Sequence, residues 1–149
     1  MNGPVTAQDM TFAIDRVLRQ NGPGLERIVR EVVAASLGLS EEEVVSSALL
    51  TENLGATSIE WLDIVFRLEV ACDVRLSLIK FVDTVCGYRA TDHDSSPDSA
   101  LMRVTTVFPE MTWDDSSQMS PAAIIERMTI RDLVRAVAWH IAQVAPTAF

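Results

Sequence analysis

Cysteine, histidine and long apolar runs are all scarce in this chain. Cys72 and Cys86 stand apart, with no CxxC pair and no histidine at metal-ligand spacing, so both are expected to be reduced thiols that serve as packing residues. The uncharged apolar runs are too short to span a bilayer. The opening Met1-Asn2-Gly3-Pro4 lacks the basic-then-apolar order of a secretion signal, and a cytoplasmic protein without a membrane span is the expectation. Internal repeats, low-complexity tracts and Gly-rich phosphate loops are also missing. What remains is a chain of 149 residues, 48% hydrophobic and 22% charged, which suits a globular domain with a real core rather than disorder.

Positive charge is scarce as well. The net charge is −9, and it is unevenly placed. Residues 41–73 carry eight acids (Glu41, Glu42, Glu43, Glu52, Glu60, Asp63, Glu69, Asp73) against Arg67 alone, a net of −7. The first 40 residues balance at four of each sign, and residues 74–149 hold nine acids and seven bases. Such a field argues against nucleic acid as a partner and favours proteins with basic patches, with faster encounter as the gain. Acids on a helix face also serve solubility alone.

Helix signals dominate, and strand signals are weak. Thr6 with Asp9 makes a capping box for a helix to about residue 19, with apolar positions Met10, Ile14, Val17 and Leu18. Asn21-Gly22-Pro23-Gly24 is expected to end it. A second helix is predicted over residues 25–37, with Leu25, Ile28, Val29, Val32, Val33 and Leu37 at helical spacing and Gly38 as its stop. Ser40 with Glu43 caps a short turn. Residues 74–88 are ambiguous between helix and strand. Residues 89–100 read as a polar loop, and 101–128 as one or two short helices, with Thr112/Asp115 and Ser120 before Pro121 as starts. The last helix opens at Thr129, capped with Asp132, and runs to about residue 144, with Ile130, Leu133, Val134, Val137, Ile141 and Val144 as its apolar stripe. Arg127, Arg131 and Arg135, four apart, form a basic edge that is either a solvated face or a partner for the acidic helix.

The most telling stretch is Leu54-Gly55-Ala56-Thr57-Ser58-Ile59-Glu60. Thr57 followed by Glu60 fits a capping box, which leaves Ser58 at the first helical position with no capping duty. The helix it opens, to about residue 72, is apolar on more than one face: Ile59, Trp61, Leu62, Ile64, Val65, Phe66 and Leu68. One face must meet the core, so the rest, rimmed by Glu60, Asp63 and Glu69, form a candidate docking surface; burial on two sides is the other reading. Ser58 is a poor candidate nucleophile. No GxSxG elbow surrounds it, and the two histidines, His93 and His140, lie in a polar loop and on the last helix. Asp92-His93-Asp94 is a single polar cluster with no second ligand group in view, so no metal is expected.

This heptapeptide, together with Leu62-Asp63-Ile64-Val65, Leu68-Glu69 and Met128-Thr129-Ile130-Arg131-Asp132-Leu133-Val134, resembles the acyl carrier protein family. That family's signature is Gly-Ala-Asp-Ser-Leu opening the second of four helices, and its last helix commonly begins Thr-Val-x-Asp-Leu. The segment from Ile28 to Leu39, followed by the acidic turn to Val44, is similar to the family's first helix. The likeness covers about residues 25–76 and 127–145.

The resemblance implies an all-α, acyl-carrier-like four-helix bundle in a single domain over residues 1–149. It would comprise an N-terminal extension helix (1–22), a carrier core (25–76 and 127–145) and a partly helical insertion (77–126). It further implies that Ser58 accepts 4′-phosphopantetheine from coenzyme A through a phosphopantetheinyl transferase, and that the arm's thiol carries acyl chains for fatty acid, polyketide or specialised lipid synthesis. The protein would then be a monomeric carrier acted on by acyl-chain synthesis or transfer enzymes with basic docking patches, not itself an enzyme. Ile59, Glu60, Leu62, Asp63, Phe66 and Glu69 would meet partners, and Ile64, Val65, Leu68 and Cys72 would line an acyl cavity. The alternatives are a peptidyl or aminoacyl carrier, for which Gly-Gly rather than Gly55-Ala56 is the usual opening, and an unmodified acidic helical adaptor. Two features depart from the family: Thr57 replaces the usual aspartate, and the insertion replaces a short loop and a small helix. The insertion is apolar enough to pack on the bundle (Phe81, Val85, Tyr88, Leu101, Met102, Val104, Val107, Phe108, Met111, Trp113), where it would enlarge the cavity or form a private docking surface.

Overall fold

The computed structural model describes residues 6–86, 97–113 and 119–144. Asp92-His93-Asp94, Tyr88 and Asp115 lie outside the described residues. Among the described residues six α-helices and one 3-10 turn follow in order: α1 (Ala7–Leu37), the turn Glu41–Glu43, α2 (Ser58–Cys72), α3 (Leu78–Cys86), α4 (Pro97–Val107), α5 (Pro121–Glu126) and α6 (Ile130–Val144). The fold is all-α, a helical bundle; among the described residues the one β-type pairing is an isolated antiparallel bridge between Leu49 and Thr129.

The helices begin where local chemistry says they should. Thr6 and Asp9 form a complete capping box, the Asp9 amide bonding the Thr6 hydroxyl at 3.0 Å. The Glu43 carboxylate accepts from both the amide and the hydroxyl of Ser40. Ser120 caps α5, with Pro121 at a position whose missing N–H is no loss. Thr129 and Asp132 cap α6 reciprocally, the two amide bonds measuring 3.0 and 3.1 Å. Burial raises the Asp132 carboxyl above its ordinary range, while the bonds from Thr129 pull it back.

Two elements differ from expectation. The break anticipated at Asn21–Gly24 is a kink inside one long helix: Asn21 leaves the helical region (φ −158°, ψ 44°) and the chain resumes its helix at once. Pro23 then falls in the first turn of the second arm, where a missing N–H is harmless. A Cβ at Gly24 would meet the side-chain carboxamide of Asn21, which would have to swing aside. Both arms stay aligned because each buries its apolar stripe (Met10 and Ile14 in the first, Leu25, Val29 and Val33 in the second) and α1 as a whole lies along α6. Pro97 to Ala100, expected as loop, is the first turn of α4.

The ambiguous stretch after α2 resolves to helix, with Leu78, Phe81, Val82, Val85 and Cys86 buried against α4 and α5. Val104, Val107, Phe108 and Met111 also enter the core, whereas Met102 is 70% exposed. Phe81 and Phe108 meet edge to face at 5.7 Å. Among the described residues the three arginines do not pair with the acidic helix; Arg131 keeps the exposure of a solvated face, whereas Arg127 and Arg135 are partly buried. Arg135 bonds the Val107 carbonyl at 2.7 Å and pairs with Asp15, Arg131 pairs with Glu110, and Arg127 stacks 4.2 Å over Trp113. These side chains brace α6 against α1 and the segment after α4. Among the described residues no helix is long and apolar enough to cross a membrane.

Candidate functional site

The loop before α2 is fastened at both ends. Leu50 donates to the Met128 carbonyl (3.1 Å), Ile130 to Ala48 (3.1 Å) and Arg131 to Ser46 (3.0 Å), so residues 46–50 are stitched to the entrance of α6. The Leu49 carbonyl accepts from Asn53 and Leu54, and the Asn53 side chain returns a bond to the Leu49 amide at 2.8 Å. Gly55 turns the chain through the left-handed region (φ 74°), which other residues enter only with strain. Ala56 is then buried and donates to the Leu50 carbonyl at 2.9 Å. Everything just before Ser58 is thereby tied to the core.

Thr57 closes the entrance. Its hydroxyl accepts from the Glu60 amide at 3.3 Å and donates to the Glu60 carboxylate, which also accepts from the Thr57 amide at 3.0 Å. Ser58 follows as the first residue of α2 and is exposed. Among the described residues its hydroxyl has no hydrogen-bond partner. Thr57→Ala is expected to cost about 1 kcal/mol of stability, with Thr57→Asp restoring it, because only the N-cap acceptor is at stake; urea denaturation of the two variants decides this.

The face of α2 that leads away from Ser58 is apolar and exposed: Ile59 (78%), Leu62 (72%), Phe66 (63%) and Val70 (69%) share one stripe. Val70 completes it one turn past Phe66, a helical spacing already visible in the sequence. Beside the stripe, Glu31, Val32, Ala35, Asp63, Phe66, Arg67, Val70 and Ala71 line a groove of about 490 Å³ between α1 and α2.

No family model matches this chain, and no solved structure matches it.

The acids around the stripe hold the helix in place as well as charging it. Asp63 accepts from Ser36 of α1 at 2.6 Å and from Arg67 at 2.8 Å, and those two partners, Ser36 first, hold its carboxyl below the ordinary range. Glu69 accepts from the Leu76 amide at 2.8 Å and so fixes the turn after α2. Glu60 belongs to the cap. Exposed carboxylates outside any cap are supplied by Glu52, Glu41 and Glu42 instead. On the inner face Ile64 and Leu68 are wholly buried, and Val65 and Cys72 are half-buried against the core. Burial raises both thiols, Cys86 to about 11, so neither is a ready thiolate. His140 is occupied elsewhere: its ring bonds the Ala136 carbonyl and accepts from the Ser77 amide. Among the described residues no cluster of three metal-ligating side chains forms.

Proposed function

We propose that this chain is an acyl carrier protein, with Ser58 as the attachment site of 4′-phosphopantetheine. One observation carries the reading: an exposed serine hydroxyl without a partner among the described residues, held at the first position of a helix whose cap and preceding loop are both anchored to the core. The residues present fit the group. Thr57 occupies the Glu60 amide, which leaves the Ser58 and Ile59 amides at the helix entrance for phosphate oxygens. A phosphodiester there lies at the positive end of the helix dipole. Glu60, the carboxylate two residues on, already accepts from two donors of Thr57. Threonine in place of aspartate keeps the cap and removes one negative charge beside the phosphate.

Loading is a group transfer. The Ser58 Oγ attacks the phosphorus that bears pantetheine in coenzyme A, its proton passes to a base on the transferase, and the bond to 3′,5′-ADP breaks. When bound, the group supplies a thiol that holds an acyl chain as a thioester. The part left to this chain is presentation. Ile59, Leu62 and Phe66, with Val70, offer the apolar contact area, and the surrounding carboxylates steer basic patches on transfer and synthesis enzymes. Incubation with coenzyme A and a panel of phosphopantetheinyl transferases tests the reading: one adduct is expected per chain, and none on Ser58→Ala. The same experiment on an unmodified acidic adaptor gives no adduct with any transferase.

A further inference from the structure

We propose that the cavity between the end of α2, α3 and the last turns of α6 binds a small aromatic carboxylate, independently of Ser58. The cavity measures about 600 Å³, within the range of small-molecule sites. Its apolar wall is the half-buried ring of Trp139, backed by the buried Phe81, whose ring centre lies 6.2 Å from it. A planar ligand gains stacking and edge contacts on such a wall.

The charge around it selects an anion. This chain has only 12 lysines and arginines against 21 acids. Most of the described arginines already hold the fold together. Arg27, Arg67, Arg131 and Arg135 form ion pairs, Arg30 and Arg103 bond backbone carbonyls, and Arg127 covers Trp113. Arg75 and Lys80, like Arg16 and Arg19 on α1, are not committed in this way. Both are exposed, both line this cavity, and neither forms an ion pair among the described residues. They flank the start of α3, whose dipole adds to the positive potential. Glu69 is the one acid in the lining, and one of its oxygens is fixed on the Leu76 amide. The polar side of the cavity is set by His140. Its Nε2 accepts from the Ser77 amide, so its Nδ1 carries the hydrogen and donates to the Ala136 carbonyl, and the ring is neutral. An aromatic ring against Trp139, with its carboxylate beside Arg75 and Lys80, uses this wall and these cations.

The test is an amide-shift titration of the full chain with 2-naphthoate and with the neutral 2-naphthylmethanol, on wild type and on Ser58→Ala. Saturable shifts at Ser77, Lys80, Trp139 and His140 are expected with naphthoate in the submillimolar range. They should be alike in both proteins, with binding of the alcohol weaker by about tenfold or more. Arg75→Gln with Lys80→Gln should weaken naphthoate by about tenfold at an unchanged unfolding midpoint, since both side chains are exposed and make no ion pair. Equal binding of the alcohol, shifts centred elsewhere, no saturation in the millimolar range, or undiminished binding to the double variant would each overturn the proposal. Because Ser58→Ala carries no acceptor hydroxyl, a failure here leaves the carrier reading untouched, and the reverse holds as well.

Discussion

Phe81→Ala lowers the free energy of unfolding by about 3–5 kcal/mol. Phe81 is 1% exposed and ties three parts of the chain together. Its ring meets Phe108 edge to face at an interplanar angle of 82° and lies against Trp139 and His140 of α6. Truncation removes the transfer free energy of the ring, leaves a cavity that helices on three sides cannot close, and forfeits aromatic contacts worth about 0.5–1.5 kcal/mol each. Since small domains have roughly 5–15 kcal/mol to lose, the variant should show a large drop in the urea midpoint with an unchanged slope. Phe12→Ala is the control: Phe12 is 68% exposed, and its loss should shift stability by no more than about 0.5 kcal/mol. A Phe81→Ala penalty below about 1 kcal/mol would mean that α3 is not docked as described.

Leu50→Ala should cost about 2–5 kcal/mol and loosen the site with it. Leu50 is fully buried, and its backbone is the junction of the whole entrance: the amide donates to Met128 at the start of α6, and the carbonyl accepts from Ala56, two residues before Ser58. Loss of the side chain removes the packing that keeps those two bonds in register. Hydrogen exchange reads the consequence directly. The Ala56 amide should lose more protection than amides in the middle of α6, because the loop opens locally before the helix does. Uniform loss of protection would show instead that Leu50 acts only through global stability. Ser58→Ala, by contrast, removes an exposed hydroxyl with no partner among the described residues and should leave stability within about 0.5 kcal/mol.

The parts that could be read from the sequence are those fixed by neighbours three or four residues apart. The reciprocal pairs Thr6/Asp9, Thr57/Glu60 and Thr129/Asp132 predict their helix starts, and all three form. The extent of α2 was legible for the same reason; which of its apolar faces would meet the core was not, and Ile59, Leu62 and Phe66 were singled out as the outer face only by the family resemblance. Features that depend on distant contacts were not legible. α1 runs through Asn21–Gly24 because α6, more than a hundred residues away, supports both arms. Arg135 reads as part of a basic edge until Asp15 and the Val107 carbonyl are placed beside it. Likewise Asp63 and Glu69 read as docking acids, and their bonds to Ser36 and to the Leu76 amide become visible only in the folded chain. The Arg75 and Lys80 pair is of this kind too, brought to one cavity with Trp139 by the packing of α3 against α6.

The central claim is that Ser58 is an acceptor for another enzyme's chemistry, and intact-mass analysis after incubation with coenzyme A and phosphopantetheinyl transferases tests it most directly. The account predicts one phosphopantetheine adduct on the wild-type chain, located at Ser58, and an unmodified mass for Ser58→Ala of unchanged stability. An unmodified wild-type chain after treatment with several transferases, or an adduct that persists in Ser58→Ala, would contradict it.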